Sequence, residues 1–315
     1  MALTDALRPL AVELLRLPGR TVPVPGWFPL VVEAAHPRIR PAGGRVRAHV
    51  NGCRMDLDLD EYVQRRIYYR AHEVPEARWV RRLLRPGDLV VDVGANVGFF
   101  TLLAAAAVGP GGRVHALEPI PANAEVLERN LALNGLRNVA VRRAAAGDHE
   151  GEIRLGLDHP DPGERGVSGH YTEGGAREAI AVPVVTLDAL LAGGPPARLV
   201  KIDVEGAEPR VLAGMARTLG DRPPDALLLE VNPAALARQG FSVPDMLDPL
   251  TEAGYRLRGV TVLGRTGGAV RPPADAPALP PAGAAAGRLG MVLRGLRGAD
   301  RLETVVAVRP GADLP

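Results

Sequence analysis

The sequence predicts an α/β fold, a doubly wound sheet of mostly parallel strands, and three observations carry that prediction. Short apolar runs recur and end on an acid: Leu89-Val90-Val91-Asp92, Val114-His115-Ala116-Leu117-Glu118, Leu199-Val200-Lys201-Ile202-Asp203 and Ala226-Leu227-Leu228-Leu229-Glu230. Stretches with helical apolar spacing lie between them, and alternating strands and helices make a parallel sheet buried on both faces. The first strand turns on glycine, through Gly94-Ala95-Asn96-Val97-Gly98, directly into the helix-favouring stretch Thr101–Val108. Asp92, Glu118, Asp203 and Glu230 thus fall at carboxyl ends of strands, the edge where such sheets bind ligands.

Composition narrows the function classes. The chain has 315 residues, 46% hydrophobic and 23% charged, with a net charge of +2. That is ordinary for a globular protein large enough for one big domain with attachments. No run of like charges or aromatic-basic interleaving favours nucleic acid as a partner. Cys53 is the single cysteine, which excludes an intrachain disulfide or a cysteine-rich zinc site and fits a reducing, cytoplasmic setting. The apolar run Phe99–Val108 is far short of the roughly 20 residues a bilayer needs. Asp5, Arg8 and Glu13 among the first leucines argue against a signal peptide.

In chain order, Leu3, Leu7, Leu10, Leu14 and Leu17 form one helical stripe, suited to packing on the main domain or on a second subunit. Prolines and glycines from Pro18 to Gly44 suggest an irregular connector. Arg45–Val50 and Cys53–Leu59 flank Asn51-Gly52, the signature of a β-hairpin with a type I′ turn. Helical spacing follows through Tyr62, Ile67 and Tyr69, then through Trp79, Val80 and Leu83, before Arg85-Pro86-Gly87-Asp88 hands over to the first strand. Residues 1–80 are therefore expected to form an extension, and 81–315 the main domain.

Within that domain, Pro121 opens a helix that Gly135 stops, and a third strand covers Val139–Arg142. Leu157–Ala176, rich in glycine, proline and charge around His170, suggests a lid or binding loop. Ile180–Val185 is a strand, Thr186-Leu187-Asp188 starts a short helix, and Val204–Pro209 opens another. A helix over Pro244–Ala253 leads to Tyr255-Arg256-Leu257. The alanine-, proline- and glycine-rich span at about 264–287 is expected to be a flexible loop. Leu302–Val308 reads as a last strand, the antiparallel edge of the sheet.

Two ligand classes suit a strand, glycine turn and helix followed by an acid after the second strand. Glu118 lies where a carboxylate can accept both hydroxyls of an adenosine ribose, a feature shared by nicotinamide dinucleotides and S-adenosylmethionine. A dinucleotide turn needs a central glycine for the pyrophosphate, and Asn96 stands there instead. Asp92 would repel a pyrophosphate, yet can accept hydrogen bonds from the ammonium of a methionine moiety. The residues favour S-adenosylmethionine. A nicotinamide-dependent oxidoreductase or a non-catalytic nucleotide-binding protein is the alternative class.

Val91–Gly98, Glu118-Pro119, Asn130-Leu131-Ala132-Leu133-Asn134-Gly135, Thr186-Leu187-Asp188 and above all Lys201-Ile202-Asp203-Val204-Glu205-Gly206-Ala207-Glu208 resemble the FkbM family of S-adenosylmethionine-dependent methyltransferases. The likeness runs from about Tyr62 to Asn232. It implies a class I methyltransferase (Rossmann-like) sheet of seven strands with the last antiparallel, and O-methylation of a hydroxyl on a small-molecule, natural-product or sugar acceptor. N-methylation is the variant reading.

The same resemblance assigns residues. Asp92, Gly94, Asn96 and Gly98, with Phe99 and Thr101 just beyond, would surround the methionine end of the cofactor. Glu118, with Pro119 beside it, would hold the ribose, and the Ala145 to Asp148 region would lie along the adenine. Glu73 would close over the cofactor. Asp203 and Glu205 would face the transferring methyl, with Asp203 also touching the cofactor.

Either of those two acids, helped by His170 from the loop, is the candidate general base. No metal-ligating cluster stands out, although Asp203 and Glu230 could hold a magnesium ion. The chain departs from the family in two places: Ile120 replaces a polar cap before Pro121, and Asn232 stands where a histidine is frequent. The leucine stripe could serve a homodimer.

Overall fold

The computed structural model describes residues 10–17, 27–41, 43–157, 170–171, 179–260, 266–269 and 304–312. Helix α1 covers residues 10–17, and a π-helical turn over Trp27–Val32 runs into α2, Glu33–Ile39. Strands β1 (Arg45–Val50) and β2 (Cys53–Asp58) form the expected hairpin, with Asn51 and Gly52 both at positive φ. Next come α3 (Tyr62–Tyr68), α4 (Val74–Leu83), β3 (Leu89–Val93), α5 (Phe99–Val108), β4 (Arg113–Leu117), α6 (Pro121–Leu133) and β5 (Val139–Arg142). They are followed by β6 (Ala145–Ala146), β7 (Gly151–Gly156), β8 (His170–Tyr171), β9 (Ala179–Val185), α7 (Leu187–Leu190), β10 (Leu199–Ile202), α8 (Glu208–Ala213) and α9 (Ala216–Asp221). The described chain ends with β11 (Ala226–Glu230), α10 (Pro233–Arg238), α11 (Val243–Glu252), β12 (Arg256–Val260), β13 (Thr266–Ala269) and β14 (Thr304–Val308).

The main sheet has the order β13-β12-β14-β11-β10-β3-β4-β5. Strands β5, β4, β3, β10 and β11 are parallel neighbours, and β14 runs antiparallel to β11. Side chains alternate between the two faces. Val90, Val114, Ala116, Leu199, Leu228 and Val306 pack with α4, α5 and the hairpin, whereas Val91, Leu117, Val200, Leu229 and Val305 pack with the helices after β9. Apolar burial on both faces is what the continuous hydrophobic runs require.

Three expectations need correcting. β14 is antiparallel but lies between β11 and β12 rather than at the border; Val305, Val306 and Ala307 are completely buried, and only an inner position covers both their faces. Ile180–Val185 is a strand as expected, part of β9, and it belongs to a separate four-stranded sheet of order β6-β9-β7-β8. Residues 27–39 are helical, because Phe28, Val32 and His36 recur every four residues and are all buried. Phe28 stacks edge-on against Tyr62, and His36 against Tyr69. Finally, Thr266–Ala269 is a strand paired with β12 inside the span read as a loop. The rest of that span lies outside the described residues, as does most of 157–176.

On α1 the packing face is Val12, Leu15 and Arg16, while Leu10, Leu14 and Leu17 are exposed. Arg16 is buried, donates to the His49 carbonyl at 3.0 Å and lies over the Tyr68 ring.

Two asparagines, Asn130 in α6 and Asn134 at its C-terminal cap, attach the hairpin. Asn134 Oδ1 accepts from Arg54 N at 2.8 Å and its amide donates to Arg54 O at 2.7 Å, imitating a neighbouring strand. Asn130, fully buried, accepts from Asp56 N at 2.8 Å and donates to Val97 O at 2.9 Å. One side chain thus ties β2 to the glycine turn. Asn130→Ala would strand a buried donor and a buried acceptor, so it is expected to destabilise the protein by about 2–5 kcal/mol in urea unfolding. A loss below about 0.5 kcal/mol would show that water replaces the asparagine.

Candidate active site

The site grows from the alternation of side chains along three adjacent strands. Asp92 is in phase with Val90, Lys201 and Asp203 with Leu199, and Glu230 with Leu228, so all four project on the face that carries α5. The parallel register sets Lys201 directly beside Asp92. A lysine ammonium is therefore delivered among carboxylates at the ligand-binding edge of the sheet.

The glycine turn sits against this cluster. Gly94 has φ +78°, and a Cβ there would stand 1.9 Å from the carbonyl oxygen of Asp203, so any side chain would push the two strand ends apart. Gly98, at φ +94°, lets Leu127 and Leu102 close over the start of α5. Asn96 takes φ +49°, and its backbone N–H donates to Glu118 Oε2 at 2.7 Å. The other Glu118 oxygen accepts from Ile120 N at 3.0 Å and lies 3.4 Å from the Asn123 amide. Burial outweighs those hydrogen bonds and pushes the Glu118 carboxyl up to about 7. At Ile120, where a polar cap is missing, Glu118 holds the backbone. Asn232 in turn caps α10, accepting from Ala235 N at 3.1 Å.

Asp92 is almost fully buried. Its Oδ2 accepts from the Thr101 hydroxyl at 2.5 Å, while its Oδ1 is buried with no hydrogen-bond partner. Burial raises its carboxyl against the pull of Lys201 and Thr101. A buried acceptor atom without a donor is costly unless a ligand supplies one.

Lys201 Nζ lies 2.9 Å from Asp203 Oδ2 and 5.0 Å from the centre of the Phe100 ring. Burial acts to lower its pKa, but Asp203, Glu73 and Asp92 together hold it above the usual lysine range. Burial likewise acts to raise Asp203, but Lys201 and hydrogen bonds from Glu230 and Lys201 prevail and keep it low. Glu230 moves the opposite way, pushed up first by the charge of Asp203 and then by burial. Asp203 keeps 23% of its side chain exposed, enough for an incoming ligand to reach it.

Just before α4, Glu73 holds a left-handed φ of +40° and comes within 3.4 Å of His72 Nε2. Burial pushes the Glu73 carboxyl up to about 8. Burial, then Arg66, pushes His72 down to about 3, so the imidazole is neutral at pH 7. His72 also packs against Phe99, and both rings line a cleft of about 180 Å³ that Arg70, Arg78 and Arg81 border.

After β10, Glu208 accepts from Val204 N at 3.0 Å and from Gly206 N at 3.3 Å, shaping the turn on which Glu205 sits at φ +55°. Burial raises Glu208 to about 7. Asp148 lies apart from the carboxylate cluster, bound to His149 and, at 3.3 Å, to Arg210; Ala145 is buried in β6. For His170 the described backbone pairs with Gly156 in the small sheet, and its side chain lies outside the described residues.

The model of the methyltransferase FkbM domain matches residues 92–257. The 31-O-demethyl-FK506 methyltransferase FkbM of Streptomyces tacrolimicus is 33% identical over 249 residues, covering 67% of this chain and 91% of that protein. The chain belongs to the FkbM methyltransferase family. It is an S-adenosylmethionine-dependent methyltransferase, which sets aside the nicotinamide alternative.

Protein-L-isoaspartate O-methyltransferase of Aeropyrum pernix is 49% identical over 55 residues, 18% of this chain and 21% of that protein. Among solved structures, an S-adenosylmethionine-dependent O-methyltransferase of Thermotoga maritima is similar to 72% of this chain over 60% of its own, with TM-score 0.35 and 14% identity.

The features of this FkbM-family site fit S-adenosylmethionine: a glycine cradle, an orphaned Asp92 oxygen and a carboxyl after the second strand. Magnesium has no comparable support. Asp203 already engages Lys201 and Glu230, and among the described residues no three His, Cys, Asp or Glu side chains are grouped to hold a metal. Lys201, His72 and Glu230 are the residues to which sequence reasoning gave too little weight. A charged residue two positions before Asp203, in phase with it, was the available signal for Lys201. No helix among the described residues is long and apolar enough to cross a membrane.

Proposed function

We propose that the enzyme O-methylates a hydroxyl of a small-molecule, natural-product or sugar acceptor. The observation that carries this reading is the part-exposed carboxylate of Asp203, whose own carbonyl oxygen packs against Gly94 in the cofactor turn. The Streptomyces relative is, by its name, a methyltransferase of 31-O-demethyl-FK506, and that supports O-methylation here.

Bound S-adenosylmethionine supplies a methyl group already activated on a sulfonium. Asp92 Oδ1, buried without a partner, would accept from the ammonium of its methionine end, beside the turn made by Gly94, Asn96, Gly98, Phe99 and Thr101. Glu118, oriented by Asn123 and followed by Pro119, would hold the ribose hydroxyls, and Ala145 and Asp148 would bound the adenine side. Glu73 would close over the cofactor. Asp203 would orient the acceptor hydroxyl and take its proton, freeing the oxygen to receive the methyl group while the carbon–sulfur electron pair stays with sulfur. Glu205, on the adjoining turn, is the second candidate for that proton. Holding the oxygen in line contributes about 7–11 kcal/mol, and the base about 10²–10⁴-fold.

The test is transfer from methyl-labelled donor to a panel of macrolides, sugars, polyols and amines. Label recovered in ether linkages supports the reading. Label found on amines alone overturns it.

Cofactor binding should depend on pH through Glu73. With its carboxyl raised to about 8, Glu73 is protonated at neutral pH in the free enzyme, and a nearby cation favours its ionised form. Binding of the sulfonium ligand therefore releases a proton, and its affinity should rise by up to about tenfold per pH unit as pH approaches that value. The neutral thioether S-adenosylhomocysteine should show a weaker slope. Calorimetric titration of both ligands between about pH 6 and about pH 9 measures the difference, which Glu73→Gln should abolish. Parallel slopes for the two ligands in the native enzyme would contradict it.

A further inference from the structure

Lys201 is the one lysine of the chain, and it is buried where three strands bring carboxylates together. Its ammonium lies 2.9 Å from Asp203 Oδ2, and the register that pairs Ile202 with Leu229 sets Glu230 beside Asp203, close enough for the two carboxyl groups to interact. Two carboxyl groups in contact cannot both be ionised, so this pair shares one proton. Which partner carries it depends on what surrounds each.

We propose that Lys201 is a positioning residue that fixes the shared proton on Glu230, so that Asp203 stays an anion turned toward the acceptor. The geometry is one-sided: the ammonium touches Asp203, while Glu230 touches Asp203 from the next strand. A unit positive charge at contact distance stabilises the carboxylate it touches far more than one a residue further away. The Phe100 ring beneath the ammonium excludes water and holds Lys201 in place.

The other charged groups around the pair do not reverse this. Asp92 on β3 attracts Lys201, and Glu73 before α4 adds to that attraction and repels negative charge on Glu230 only once it ionises, above neutral pH. Glu205, on the turn after β10, raises Glu230, and Glu208 on the same turn feels Asp203. Glu76 of α4 acts on Glu73, as does Arg66 of α3. His72 is neutral, so the positive charge in contact with Asp203 comes from Lys201. The inference rests on the reading of Asp203 as the group that faces the acceptor.

Infrared difference spectroscopy of the full-length protein at about pH 7 reads the protons directly. Glu230→Gln should remove one carboxylic-acid carbonyl band, and retention of that band would overturn the proposal. Lys201→Met should add a band, because Asp203 then takes up a proton, and Lys201→Arg should restore the native spectrum. The added band must vanish in Lys201→Met/Asp203→Asn. A band that is never gained, or that survives the second substitution, overturns the assignment. Should Lys201→Met fail to fold, Glu230→Gln and Lys201→Arg still decide the matter, since band retention in the first or a gained band in the second would each contradict it. If the spectra behave as expected while Asp203→Asn transfers methyl at the native rate, the Lys201 assignment stands and the catalytic reading of Asp203 falls.

Discussion

Asp203→Asn is expected to lower the rate of methyl transfer by about 10²–10⁴-fold, the usual contribution of a positioned general base. Asparagine keeps the shape of the side chain but cannot take the hydroxyl proton. Single-turnover kinetics with saturating donor and the best acceptor of the labelled panel isolate the step. S-adenosylhomocysteine affinity should change by no more than about threefold, because the main polar contacts proposed for the cofactor lie on Asp92 of β3 and on Glu118. Glu205→Gln measured in parallel separates the two acids. A near-native rate for Asp203→Asn with a collapse for Glu205→Gln would move the proton acceptor to the turn after β10.

The second large effect concerns binding. Asp92→Ala is expected to weaken S-adenosylhomocysteine binding by about 10²-fold or more, since truncating one partner of a buried, hydrogen-bonded charge pair costs roughly 2–5 kcal/mol. The free protein should not lose stability to match. Asp92 is buried with one oxygen unpartnered, so its removal relieves a desolvation cost while giving up the bond from Thr101. Thermal unfolding without ligand, alongside calorimetric titration, distinguishes a lost ligand contact from a damaged fold. An unchanged affinity in Asp92→Ala would remove Asp92 from the cofactor site.

The strand-ending acids could be located in the sequence because a buried parallel strand announces itself as an apolar run, and the residue that ends the run lies at the ligand edge. Asn96 and Asp92 told one cofactor class from another because steric room and charge at a tight turn depend on a few consecutive residues. The hairpin was equally plain, since Asn51-Gly52 has few other uses between alternating flanks. In contrast, the helix over residues 27–39 was hidden. Its prolines signal a connector, and only the packing of Phe28 on Tyr62 and of His36 on Tyr69, with the burial of Val32, overrides that signal.

The partners of each site residue were hidden for a related reason. Lys201 could be read as one letter of a motif, but its contacts follow from the register that sets β10 between β3 and β11. Asn130 and Asn134 could be read as helix residues, but their hydrogen bonds go to a hairpin about 80 positions earlier in the chain. The sequence by itself determined the alternating strands and helices, the glycine turn and the acids at its edge, because those depend on local periodicity and on residue chemistry at short range. Only the tertiary structure decided strand order, including the insertion of β14 between β11 and β12, and the meeting of Asp92, Lys201, Asp203 and Glu230. Strand pairing joins residues distant along the chain, and no local pattern records which neighbour a buried strand will take.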